Sequence, residues 1–124
     1  MRWVALLTFV FLTGCASTPK FSGFRVAFGA KDVPRSSIFT SGTFKAPFTL
    51  QDTTEFQIVQ VPFNTFSWDW SSFTGSCNTK DPTGKQHYCC SDDAKYCPTA
   101  AFLSTISSLE IWAEGAEGDF HLEI

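Results

Sequence analysis

No apolar run in this chain is long enough to cross a bilayer. The run from Trp3 to Leu12 falls well short of the roughly 20 residues that a membrane helix needs. Positive charge is also scarce. Nine basic residues against 12 acidic ones leave a net charge of −3, without the basic footprint that nucleic-acid binding requires. Gly-x-Ser-x-Gly and His-Glu-x-x-His are missing, which removes the hydrolase elbow and the zinc-protease helix. The stretch Asp81-Pro-Thr-Gly-Lys-Gln-His holds a Gly and a Lys. It lacks the first Gly, the Ser/Thr and the preceding strand of a phosphate-binding loop. There is no internal repeat and no long helical pattern, and nothing asks for a cofactor.

What is present points to export. At the N-terminus, Arg2 precedes the run Trp3–Leu12, and small residues follow. That order is the pattern of a secretory signal peptide, which we assign to residues 1–17. Leu12-Thr13-Gly14-Cys15 also resembles a bacterial lipoprotein box, in which Cys15 would carry the lipid. The plainer alternative is cleavage near Ala16 that discards Cys15. Either way the membrane is reached only through the signal or a lipid anchor. Four cysteines then remain: Cys77, Cys89, Cys90 and Cys97. An even number in an exported chain implies two disulfides. The spacing contains no short metal-type gap, which argues against zinc. A Cys89–Cys90 bond would close a strained ring. Adjacent residues of an extended segment point opposite ways, so one of the pair reaches back to Cys77 and the other forward to Cys97. Which does which is open in the sequence.

Residues 18–124 read as one all-β domain. Phe is abundant, at 14 residues, and short alternating runs are separated by turn residues. In Phe24–Phe28, Phe24, Val26 and Phe28 share a face. In Thr43–Leu50, Phe44, Ala46, Phe48 and Leu50 share a face, and Pro47 marks an edge strand or bulge. Phe56–Phe63 is apolar on both sides and reads as a central, covered strand. Residues 77–97 form a Cys-rich stapled loop. Pro98 is expected at the first position of a short helix. The architecture expected is a β-sandwich.

The closing stretch, Ser108 to Ile124, reads as a hairpin with its turn at Glu114–Glu117. One register pairs Ile111 with Phe120 and Leu109 with Leu122, both buried on one face. Glu110 then faces His121 on the wetter side. A carboxylate beside an imidazole is the one arrangement that could move protons. It lacks a third partner, so a solvent-facing pair is the simpler reading. Around the middle of the chain, Phe66, Trp68 and Trp70 could stack on a sugar. The competing reading is that they belong to the core.

Certain segments resemble a known family. Val61-Pro-Phe-Asn-Thr-Phe-Ser-Trp-Asp-Trp is similar to the Pro-Phe-x-x-Phe segment of the complex I intermediate-associated protein 30 family. Cys97–Ile124 resembles its C-terminal region, which ends Gly-x-Phe-x-Leu-Glu-Ile. Gly118, Phe120, Leu122, Glu123 and Ile124 match that ending. The resemblance implies a galactose-binding-like jelly roll, here N-terminally shortened. It also implies an assembly or chaperone-like role with a protein partner and no catalytic residues. The expected protein is therefore a non-enzymatic, exported, disulfide-stapled interaction module, secreted or lipid-anchored. A carbohydrate-binding module using Phe66, Trp68 and Trp70 is the alternative.

N-terminal analysis of the mature protein checks the export reading. A start near Ser17 is expected for plain secretion, and a lipid-modified Cys15 for anchoring. An intact Met1 on a cytosolic protein would overturn both.

Overall fold

A computed structural model describes residues 23–38, 40, 42–114, 119, 121 and 123. The proposed signal segment and Cys15 lie outside these residues. So do Phe120, Leu122 and Ile124 of the expected final strand. The described residues form three strands: β1, Phe24–Ala30; β2, Thr43–Phe48; and β3, Ile106–Ala113. They make one antiparallel sheet in the order β2-β1-β3. Among the described residues the framework is thus all-β, with helix confined to single turns. These are 3-10 turns at Phe63–Thr65 and Ala94–Tyr96 and one α-helical turn, α1, Ala100–Leu103.

The register explains why each strand sits where it does. Phe24 pairs with Phe48, Val26 with Ala46 and Phe28 with Phe44. On the other side Val26 pairs with Ile111 and Phe28 with Leu109. The alternating apolar residues of all three strands therefore fall on one face, as their period of two requires. Phe28 stacks on Phe44 at 5.3 Å between ring centroids and meets Phe66 at 5.1 Å, while Phe102 of α1 meets Phe44 at 5.1 Å. Phe44 and Ala46 are fully buried there. Pro47 sits on the edge strand β2, as its missing N–H suggested. Lys45, two residues earlier, sends its backbone N–H outward to Ser67 at 2.9 Å. Pro47 points its nitrogen the same way, so no ladder bond within the sheet is lost.

Three expectations are corrected. Phe56–Phe63 is not a central strand: it lies outside any strand, with Phe56 and Ile58 among the exposed apolar residues. The centre of the sheet is held by β1, whose two edges are already taken by β2 and β3. Two glutamines and a proline within the segment offer little reason to displace either. Pro98 does not open the short helix; Thr99 is its N-cap and the helix starts at Ala100. The closing hairpin's burial is also reversed. Leu109 is 55% exposed and Ile111 37%, whereas Glu110 and Trp112 are partly buried. The alternation was right, because Leu109 and Ile111 do share the face of Phe28. Among the described residues, the apolar cover over that face reaches β1 and β2 but stops short of β3.

Phe44→Ala should therefore cost about 3–5 kcal/mol, while Leu109→Ser should stay within about 0.5 kcal/mol. Urea unfolding of the two variants checks this. Equal losses would mean that the core extends over β3.

Candidate functional site: an open groove and two buried polar clusters

The disulfides are Cys77–Cys89 and Cys90–Cys97, with Cα–Cα distances of 5.0 and 4.6 Å. The adjacent pair thus splits as the extended geometry predicted: Cys89 reaches back and Cys90 forward. Each closes a short loop, worth about 2–3 kcal/mol in chain entropy. Two disulfides fit an oxidising, extracytoplasmic compartment. Among the described residues, no helix is long and apolar enough to cross a membrane.

The stapled loop covers the face of the sheet opposite the phenylalanines. Lys45 projects from β2 into that contact, and none of its side chain is exposed. Its Nζ lies 4.0 Å from the ring centroid of Trp70 and 3.7 Å from that of Trp112. It donates to Glu114 Oε1 at 2.9 Å. Burial lowers the Lys45 pKa, and the hydrogen bond and charge of Glu114 pull it back up. Arg25 joins the cluster, donating to Ser76 Oγ at 2.8 Å and to the Gly75 carbonyl at 3.3 Å. Gly75 has φ +71°, and a Cβ there would collide with the Glu114 carboxylate. Only glycine lets the loop come this close.

A second cluster lies within the loop itself. His87 is 1% exposed. Its Nδ1 is 2.8 Å from Asp69 Oδ1, and its Nε2 is 2.8 Å from Asp81 Oδ2. Ser71 Oγ donates to Asp81 Oδ1 at 2.5 Å. Asp69 Oδ2 accepts the Tyr88 N–H at 3.0 Å. The Ser71 hydrogen bond, then that of His87, lower the Asp81 pKa below its ordinary 3.8. Ser, His and Asp are together here, but not in catalytic order. In a nucleophilic triad the imidazole accepts from the serine. Here Ser71 bonds to a carboxylate, and both ring nitrogens of His87 are occupied by carboxylates. Neither ring nitrogen is left to take a proton from Ser71. The cluster is a fully paired polar core that ties residues 67–71 to residues 81–88.

The other candidate residues disperse. Phe66 is buried against Phe28, and Trp70 is 5% exposed, donating its indole N–H to the Thr43 carbonyl at 3.0 Å. Neither presents a ring to solvent. Trp68 is partly buried and donates to the Lys95 carbonyl at 2.8 Å. It packs on Tyr96, which stacks with Tyr88. Glu110 and His121 are not a pair. Glu110 accepts from Trp112 Nε1 at 3.0 Å, while His121 sits 3.5 Å from Glu123 and edge-on to Phe56. Sequence reasoning missed Asp69, Asp81 and His87 as a unit. The usable signal was a pair of acids and a histidine within and beside the stapled loop.

Among the described residues, a groove of about 1140 Å³ lies beside the phenylalanine face. Val26, Ile111, Val61, Phe63 and Phe66 give it an apolar floor, and the segment Leu50–Gln57 forms a wall. Asp119, His121 and Glu123 also line it. No family model, curated protein or solved structure matches this chain.

The Asp81 shift has a sign that can be checked. A carboxyl whose folded pKa is depressed stabilises the fold at pH values above its unfolded pKa, and that contribution is lost as pH falls through the folded pKa. Urea midpoints should therefore drop below about pH 4 in the native chain. The drop should be smaller in Asp81→Asn, which starts from lower stability at neutral pH. An equally steep acid loss in the variant would show that Asp81 is not the group titrating.

Proposed function

We propose that this protein is an exported, non-enzymatic interaction module. The role is of the assembly or chaperone-like kind implied by resemblance to the complex I intermediate-associated protein 30 family, on a jelly-roll-type frame. One observation carries the reading: the exposed apolar surface around the groove. Phe56, Phe63 and Ile111 line the groove and are exposed, and the exposed Leu109 shares the face of Ile111 on β3. Contiguous exposed apolar surface marks an interaction site in a soluble domain. The fully partnered state of His87 and Ser71 supports the non-enzymatic half of the proposal, since a general base needs a free nitrogen within reach of its proton.

The carbohydrate reading keeps one specific support, the stack Trp68–Tyr96–Tyr88, whose outer ring is 43% exposed. Phe66 and Trp70 do not serve it, being buried. Two assays separate the readings. The mature chain should slow aggregation of a chemically denatured client protein, and Leu109→Glu with Ile111→Glu should lose most of that effect. Unchanged suppression by the double variant would overturn the interaction reading. Glycan binding that Tyr88→Ala abolishes would replace it with the carbohydrate one.

A further inference from the structure

We propose that the Asp81–Pro82 peptide bond is a latent self-cleavage site, kept closed by the buried contacts of the Asp81 side chain. The substrate is the chain itself, and the co-reactant is water.

The chemistry starts from the residue pair. Asp81 is the one aspartate of this sequence that precedes a proline. Proline makes the bond a tertiary amide, whose nitrogen takes a proton from acid more readily than an ordinary peptide nitrogen. Attack of an Asp81 carboxylate oxygen on the carbonyl carbon of the same residue closes a five-membered anhydride. The C–N bond breaks, its electron pair goes to the nitrogen, and Pro82 leaves as a secondary amine. Water then opens the anhydride, which restores the Asp81 side chain and leaves a new C-terminal carboxyl. One peptide bond and one water are consumed, and nothing is oxidised or reduced.

In the folded chain that attack is blocked. Asp81 Oδ1 accepts from Ser71 Oγ at 2.5 Å, and Oδ2 lies 2.8 Å from His87 Nε2. His87 is held in turn by Asp69, and Lys85 Nζ lies 3.7 Å from the same Asp69 oxygen. The backbone of Asp81 is fixed as well. Its N–H donates to the Lys85 carbonyl, and its own carbonyl accepts the Gly84 N–H, each at 2.8 Å. The carboxylate can therefore turn onto its own carbonyl carbon only by giving up charge-assisted bonds to Ser71 and His87, both buried. Acid acts twice here: it weakens the cluster, and it supplies the proton that the proline nitrogen needs.

The position of the bond gives the cut a defined result. It lies in the hairpin whose strands meet at Lys80 and Gln86, and Pro82, Thr83 and Gly84 are exposed at the tip. Such tips open locally more easily than a core does. The Cys77–Cys89 disulfide spans the bond, so the two pieces stay joined. The stapled loop would be opened at its tip without the chain coming apart.

The test incubates the mature chain in acid, at the lowest pH where tryptophan emission still reports the native fold. A parallel sample at the same pH is unfolded in guanidinium. Mass spectrometry follows both: the cut adds one water to the unreduced chain, and reduction then separates a piece ending at Asp81 from one beginning at Pro82. The folded chain should be cut at least about tenfold more slowly than the unfolded one, the effect of losing one charged hydrogen bond. Ser71→Ala and His87→Gln, while still folded, should move most of the way to the unfolded rate. Asp81→Asn should leave the bond intact in both states. Equal rates for the folded and unfolded native chain would overturn the proposal. So would folded Ser71→Ala and His87→Gln that are as resistant as the native chain, since the fold at large and not these contacts would then protect the bond. Cutting at this bond in Asp81→Asn, or no cutting in guanidinium, would remove the self-attack itself. The native comparison and Asp81→Asn decide the matter even where neither cluster variant folds.

Discussion

An ammonium group removed from water must recover most of its hydration from its neighbours, because an unpaired buried charge costs several kcal/mol. Lys45 recovers it from three directions: the carboxylate of Glu114 and the faces of Trp70 and Trp112. Those groups come from different parts of the chain. Lys45 is in β2, Trp112 in β3, Glu114 just beyond it, and Trp70 on the loop that leads to the disulfides. One cation thus fixes how the sheet, Glu114 at the end of β3 and the stapled loop meet. Gly75 and Arg25 are consequences of the same contact. The glycine gives the Glu114 carboxylate room, and the arginine ties the Gly75 carbonyl and the Ser76 hydroxyl of the loop to β1.

The loop that closes over Lys45 has no regular ladder of its own, so it needs other ties. Two disulfides shorten its free segments. The Asp69–His87–Asp81–Ser71 chain then joins its beginning to its middle through charge-assisted hydrogen bonds, roughly twice as strong as neutral ones. A cluster of this composition suggests catalysis at first sight. The order of the bonds is not that of a nucleophilic triad: Ser71 donates to Asp81, and both ring nitrogens of His87 meet carboxylates.

How much of this was legible beforehand divides along physical lines. Period-two alternation is local, so the faces of Phe24–Phe28 and Thr43–Phe48 and the edge position of Pro47 could be read directly. The even set of four cysteines and the opposed directions of Cys89 and Cys90 were equally local. Burial was not. Lys45 occupies what alternation calls a polar position, and it is buried because two tryptophans distant in sequence close over it. Leu109 occupies an apolar position and is exposed, since the cover ends one strand too early. Phe56–Phe63 has strand-like composition but finds both edges of β1 occupied. Each miss concerns which surface meets which, a non-local question that residue pattern alone underdetermines.

The two faces of the sheet consequently have different fates. The face of Lys45 is sealed by charge, aromatic rings and disulfides, and its contacts are specific enough to leave little room for rearrangement. The face of Phe28 and Phe44 is sealed by side-chain packing from Phe66 and Phe102 over two strands, and left open over the third. Leu109 and Ile111 are held in register with Phe28 and Val26 of β1 while their own side chains stay exposed. That register decides which face each side chain takes, because a slip of one residue would bring Glu110 and Trp112 to the side of Phe28 and turn Leu109 and Ile111 toward Lys45.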